Sequence, residues 1–228
     1  AQMAKFALPV LFGMLCQRIY NFADTYIVGR FLGDEALAAV SIAGTAMYML
    51  FSIMMGVTTG VSVVISQYYG AQQEDQIRHT FVAGAYVAAG MTALITVGGM
   101  LTVNPLLRIL RTSEALLPAA GAYLMVIYAG SCGTMLYNFS SSVLRALGNS
   151  LVPLLFLIVS SVLNVFLDIV FVAWIPMGTA GAAFATVLAQ MISGILCMWY
   201  AWRILPFLRI RKTEWKLDFY LAGQVLRY

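Results

Sequence analysis

Six apolar runs follow one another along this chain, at about 6–28, 36–68, 78–103, 117–143, 151–173 and 178–204. Each exceeds the roughly 20 helical residues that cross a hydrocarbon layer of about 30 Å. Six such segments in succession predict an all-α polytopic membrane protein, a six-transmembrane-helix bundle. The runs do not alternate polar with apolar residues, which argues against an outer-membrane barrel. Turn-forming residues mark the breaks: Gly33 to Glu35, Gly70 to Asp75, Asn104 with Pro105, Gly148 with Asn149, and Pro176 to Gly178. Charged residues make up 10% of the chain, against about a quarter in soluble domains. The first run carries Arg18, Asn21 and Asp24 and lacks a small-residue cleavage pattern, so it does not read as a signal peptide.

An even number of spans returns the chain to its starting side. With Lys5 inside, nine basic residues fall on that side, among them Lys5, Arg78, Arg145, Arg203 and the cluster from Arg209 to Lys216. Three, Arg30, Arg108 and Arg111, fall outside. The bias predicts a multi-pass inner (plasma) membrane protein with both ends of the bundle cytoplasmic. Trp174 suits the outer interface, and Trp199, Tyr200 and Trp202 the inner one. The basic segment after Ile204 is interleaved with Leu205, Phe207, Leu208 and Ile210. It reads as a juxtamembrane stretch against anionic lipid and not as a nucleic-acid site. Residues 1–204 are therefore expected to form the bundle, and 205–228 a basic amphipathic linker. Cys16, Cys132 and Cys197 stand singly, in no metal or disulfide pattern, and His79 reads as an interfacial residue.

Polar residues inside the runs share one depth. Asp24 lies nine residues before Gly33; Asp168 lies nine before Met177, and Thr186 nine after it. Each stands about 13 Å below its turn, near the middle of the layer. Asn164 and Asp168 share a helix face, with Ser160 one turn further in; Thr186 and Gln190 share another. Gln17, Asn21 and Asp24 form a stripe on the first helix that could line a cavity, and Tyr123 could reach the same layer from the fourth. An aspartate at the centre of a span costs about 2.5 to 3.5 kcal/mol on insertion scales, and such residues usually face a bundle interior and serve function. The plain alternative is a structural hydrogen bond or a pair with Arg18, which sits six residues away on a different face.

Two carboxyls in apolar surroundings can exchange protons, or they can bind a hard cation through oxygen. The residues leave H⁺ and Na⁺ open; Asn164 and Thr186 beside Asp168 lean toward Na⁺, with Asp24 completing a possible metal site. An organic cation could neutralise the same charge, and that competition is a basis for antiport. Gly56 and Gly60, and the run from Gly178 to Ala183, permit close helix approach. No nucleophile motif, phosphate loop or His-rich pattern is present, so neither an enzyme nor a bound cofactor is expected beyond the coupling ion.

The stretches ALPVLFGMLCQRIYNFADTYIVGRFLGDEALAAVSIA, MMGVTTGVSVVISQYYGA, SSVLRALGNSLVP, LNVFLDIVFV and GTAGAAFATVLAQ cover much of the chain. Through them it resembles the amino-terminal half of a multidrug and toxic compound extrusion (MATE) transporter. The resemblance implies two six-helix lobes that alternate access and export amphipathic, often cationic drugs against Na⁺ or H⁺. It also implies a cation site built from Asp24, Asn164, Asp168, Thr186 and Tyr123, and a bend of the first helix at Pro9. At 228 residues, beginning with Ala1, the chain is expected to be one lobe that works with a second six-helix lobe. A lipid-linked oligosaccharide flippase of the same superfamily is the alternative; it would favour an arginine-lined cavity.

Overall fold

The computed structural model describes residues 2–205 and 218–227, with side chains at Pro9 and from Leu11 onward. Every regular element among them is helical. In chain order these are α1 (Gln2–Gly70), α2 (Glu74–Ile109), α3 (Leu117–Ala129), α4 (Ser131–Ala146), α5 (Leu151–Asp168), α6 (Thr179–Ile204) and α7 (Phe219–Arg227). A π-helical segment, Ile169–Trp174, continues α5.

As a straight rod, the 69 residues of α1 would extend about 100 Å, over three times the hydrocarbon layer. The helix instead turns at Gly33, whose φ of 85° and ψ of −179° suit glycine alone. Asp24 before the turn and Met47 after it both lie beside Tyr123, which a straight rod forbids. The two arms, 2–32 and 34–70, are therefore separate spans. Pro9 is buried within the first arm, whose dihedrals stay helical around it. Gly148 and Gly178 take φ of 83° and 65° at two further turns that the sequence marks.

By unbroken length and composition four of the described helices can cross a membrane, five if α3 and α4 count as one. Dividing α1 at Gly33 brings the number to the six that the sequence predicts. The run expected at 117–143 is not one straight helix: α3 and α4 meet at 50°. The cause is the helix pair α4 and α6. A Cβ on Gly130, at the bend, would overlap the Val187 side chain, and one on Gly133 would lie 2.9 Å from Met191 Cβ. One on Gly194 would lie 2.8 Å from the Tyr137 backbone nitrogen. Gly133 and Gly194 thus bring α4 and α6 into backbone contact in parallel register, with Val187 seated on Gly130, and this contact replaces the hydrophobic effect that lipid cannot supply. Of the glycines singled out in the sequence, Gly181 packs on the Phe171 carbonyl and Gly60 on that of Val225. Gly56 faces open space, so the expected pair acts through one member.

Part of the expected linker, 206–217, lies outside the described residues. Its last part is a helix, α7, that starts where Asp218 Oδ1 accepts from the backbone N–H groups of Tyr220 (2.9 Å) and Leu221 (3.2 Å). Leu221 and Val225, one turn apart, are buried against α2 and the second arm of α1.

Gly194→Val forces α4 and α6 apart and is expected to cost about 1 to 3 kcal/mol. Thermal unfolding in detergent should show the loss, while Gly56→Ala leaves the midpoint unchanged or higher.

Candidate functional site

The polar side of α5 faces inward. Ser160, Asn164 and Asp168 are 6%, 1% and 0% exposed, whereas Val162 and Phe166 are 67% and 57%. Lipid inverts the amphipathic rule of soluble helices: apolar side chains go out, and polar ones go where partners exist. α6 meets this face with Thr186, held in place because its neighbour Val187 is seated on Gly130.

Asn164 is the hub. With its amide oriented to satisfy both ends, Nδ2 donates to Asp168 Oδ2 at 3.3 Å. Its Oδ1 accepts from Thr186 Oγ1 at 3.2 Å and from the Thr186 backbone N–H at 3.3 Å. On the other side of Asp168 stands Asp24, and the two carboxyls are hydrogen-bonding neighbours. Bare carboxylates repel, by about 4 kcal/mol at 4 Å and an effective dielectric of about 20. The pair is therefore compatible with this contact only when it shares a proton or a cation.

Each acid keeps one oxygen in reserve. Asp24 Oδ1 and Asp168 Oδ1 are buried and accept no hydrogen bond from the protein. Buried acceptors without a partner cost about 1 to 3 kcal/mol each, so the two carboxyl oxygens are candidate ligand positions. The Tyr20 hydroxyl lies near both acids and reaches the Gln190 side chain. Tyr123 is 3% exposed and near Asp24, Tyr20 and Asp168. Its hydroxyl donates to Met47 Sδ at 3.7 Å, which sets it at the edge of the cluster.

Asp24, Asn164, Asp168 and Thr186 thus converge, with Gln190 joined through Tyr20. Gln17 and Asn21, expected to share the stripe of Asp24, lie exposed on the surface of the lobe outside this buried cluster. Pro9 lies about 22 Å along the helix from Asp24. No salt bridge joins Asp24 to Arg18, which is exposed. Sequence reasoning missed Tyr20, although it stands four residues before Asp24, the same spacing that links Asn164 to Asp168. It also missed the π-helical segment that begins immediately after Asp168; π-turns recur at functional sites. A cavity of about 850 Å³ between α2, α4 and α6 is lined by Phe81, Met135, Phe139 and Trp199 and holds none of these residues.

The donors are carboxyl, amide and hydroxyl oxygens, a set suited to a proton or a hard cation and not to a soft metal. The family model described as MatE matches residues 9–170. A probable multidrug resistance protein of Bacillus subtilis, YpnP, is 31% identical over 217 residues, covering 94% of this chain and 49% of its own length. A second from that organism, YoeA, is 29% identical over 228 residues, covering 95% and 46%. The outward-facing structure of a multidrug resistance MATE family transporter superposes with a TM-score of 0.90 at 23% identity, over 99% of this chain and 50% of that one. The chain spans about half the length of the relatives it matches.

Asn164→Ala strips Asp168 and Thr186 of their common partner. The expected cost is about 1 to 3 kcal/mol, read as a lower unfolding midpoint, whereas Asn21→Ala on the exposed face leaves the midpoint unchanged.

Proposed function

The chain belongs to the MatE family, and we propose that it forms one lobe of a secondary antiporter that exports amphipathic, often cationic drugs against Na⁺ or H⁺. The contact between the Asp24 and Asp168 carboxyls carries this reading. A pair that cannot stand close while both members are charged must be neutralised, and a proton, Na⁺ or an organic cation can do it. Binding of one disfavours the others, so entry of the ion on one side and loading of the drug are mutually exclusive. Asn164 fixes Asp168 and Thr186 in one orientation, and the two free carboxyl oxygens would receive the ion.

Transport needs the second six-helix lobe, because in transporters of this kind the substrate path lies between repeats. The positive-inside bias supports an orientation, in a plasma membrane, with the end of the lobe bearing Gly148 in the cytoplasm. The end bearing Gly33 and Gly178 then faces out. The charges favour this reading over a flippase for lipid-linked oligosaccharides: the buried cluster is acidic, and Arg18 lies outside it.

In the full-length protein, Asp168→Asn is expected to abolish ion-driven dye efflux with membrane expression near that of the wild type. Asp24→Asn should impair efflux as well. Unchanged efflux from the Asp168 variant, in inverted vesicles or cells, would overturn the coupling role.

The ion is identified by imposing a Na⁺ gradient at equal pH, then a pH gradient without Na⁺. A Na⁺ site predicts that Na⁺, but not K⁺, raises the unfolding midpoint of the purified protein. The Asp168→Asn variant should lose that rise.

A further inference from the structure

We infer that the groove between α2, α4 and α6 holds one acyl chain of an anionic phospholipid, with the lipid's phosphate at Arg203 on its rim. This goes beyond the antiport reading and does not rest on it.

Helix faces make the groove. On α2, Phe81, Ala85, Ala89 and Ala93 recur every four residues along one face. Beyond Phe81 these side chains are single methyl groups and fill little of the space beside α4. Met135 and Phe139 share the face of α4 that borders this space. The seat of Gly194 on α4 fixes the rotation of α6 and turns Met198, Trp199 and Trp202 toward the same space. Large side chains thus stand across from alanines, and a gap of about 850 Å³ remains. Pockets that take a drug-sized ligand hold roughly 300 to 1,000 Å³. The gap opens sideways: Ala89, Ala93 and Cys132 in its lining are exposed, and Trp199 and Trp202 are more than half exposed.

The lining selects hydrocarbon. Thr92 supplies its only side-chain oxygen, and that hydroxyl donates to the Ala88 carbonyl at 2.7 Å. No lining side chain is charged. A ligand with polar groups along its length would leave them unpaired here, whereas a run of methylenes loses nothing. The two methionines adapt to a flexible occupant. From Phe81 to Ala93 the groove rises about 18 Å along α2. That is a little more than half of a hydrocarbon layer of about 30 Å, the depth of one leaflet.

The rim supplies the headgroup contact. The groove ends at Phe81 and Trp202, toward the end of the lobe that bears Gly148. There the exposed Arg203 stacks its guanidinium 5.5 Å from the centre of the Trp199 ring. A guanidinium carries five N–H donors, so it can meet a phosphate while stacked. Arg78, three residues before Phe81 on the same face, pairs with Asp75 at 2.9 Å, which offsets its charge. Tryptophans suit the depth of lipid headgroups, and a cation beside them draws anionic lipid. The same charge disfavours an organic cation, which makes a lipid and not an exported drug the occupant.

The test uses phosphatidylglycerol with a photoactivatable diazirine in one acyl chain, as a minor component of phosphatidylcholine vesicles holding the full-length protein. Bulk lipid is reported by Leu155, Val159 and Val162, on the exposed face of α5. Label in the groove is expected to exceed label on that face several-fold. Added unlabelled phosphatidylglycerol should lower this ratio several-fold, and added phosphatidylcholine should leave it unchanged. Ala89→Trp, which fills the groove from an exposed position, should bring the ratio near one. Arg203→Gln alters an exposed residue outside the lining and keeps the test valid if the tryptophan variant fails to fold. It should abolish the preference for phosphatidylglycerol, and Arg203→Lys should keep part of it. A ratio near one in the wild type, or one that neither Ala89→Trp nor Arg203→Gln changes, overturns the proposal. So does labelling of the groove by a photoactivatable cationic drug in place of the lipid. Loss of drug efflux by the wild type would sink the antiport reading alone.

Discussion

Hydrocarbon offers no hydrogen bonds, and the architecture of this lobe follows from that one constraint. Each polar group placed within a span must find its partner inside the bundle or go without. α5 obeys by turning Ser160, Asn164 and Asp168 inward and Val162 and Phe166 outward. Asn164, Asp168 and Thr186 are consequently buried together where α5 meets α6. Two acids that would repel in isolation are there brought into contact. The chemistry of the site is thus a by-product of where lipid forbids polar groups to be.

Close packing makes the arrangement specific. In lipid, helices gain little from burying leucine, and they associate through fit and through small residues. Gly133 and Gly194 let α4 and α6 touch backbone to backbone, and Gly130 seats Val187. That contact fixes the rotation of α6, and rotation decides which residues face α5. One residue of slip would turn Thr186 by about 100° and carry it away from Asn164. The bend at Gly130, the seating of Val187 and the Asn164–Thr186 hydrogen bond are therefore parts of one constraint.

Much of this was legible in the sequence, because span length and turn glycines are local signals. Counting nine residues from Gly33 and from Met177 puts Asp24, Asp168 and Thr186 in one layer, and the structure brings them together. Depth, however, says nothing of rotation. Gln17 and Asn21 share the helix of Asp24 yet lie on the surface, while Tyr20 turns in to meet Gln190. The bend between α3 and α4 was hidden because Gly130 is one glycine in an apolar run, and its reason, Val187, is far away in sequence. The π-helical segment after Asp168 lies in an unbroken apolar stretch with neither proline nor glycine, so no residue announces it.

The two acids are held unequally. Asp168 stands on α5 and is fixed by Asn164, which is fixed in turn by Thr186 on the enclosed helix α6. Asp24 stands on the first arm of α1, where Leu11, Phe12, Met14, Leu15, Ile19 and Phe22 are all more than half exposed. The partner that Asp24 meets at the site is Asp168 itself. The carboxyl pair is thus a polar tie between a loosely covered arm and a rigid frame, and its sign depends on occupancy. With a proton or cation between them the acids attract and the arm is held. With neither, they repel by an amount comparable to several hydrogen bonds, a force that under the proposed antiport would bear on the arm. In the proposed antiporter, an electrostatic term that reverses sign on neutralisation would let an ion do mechanical work on a helix.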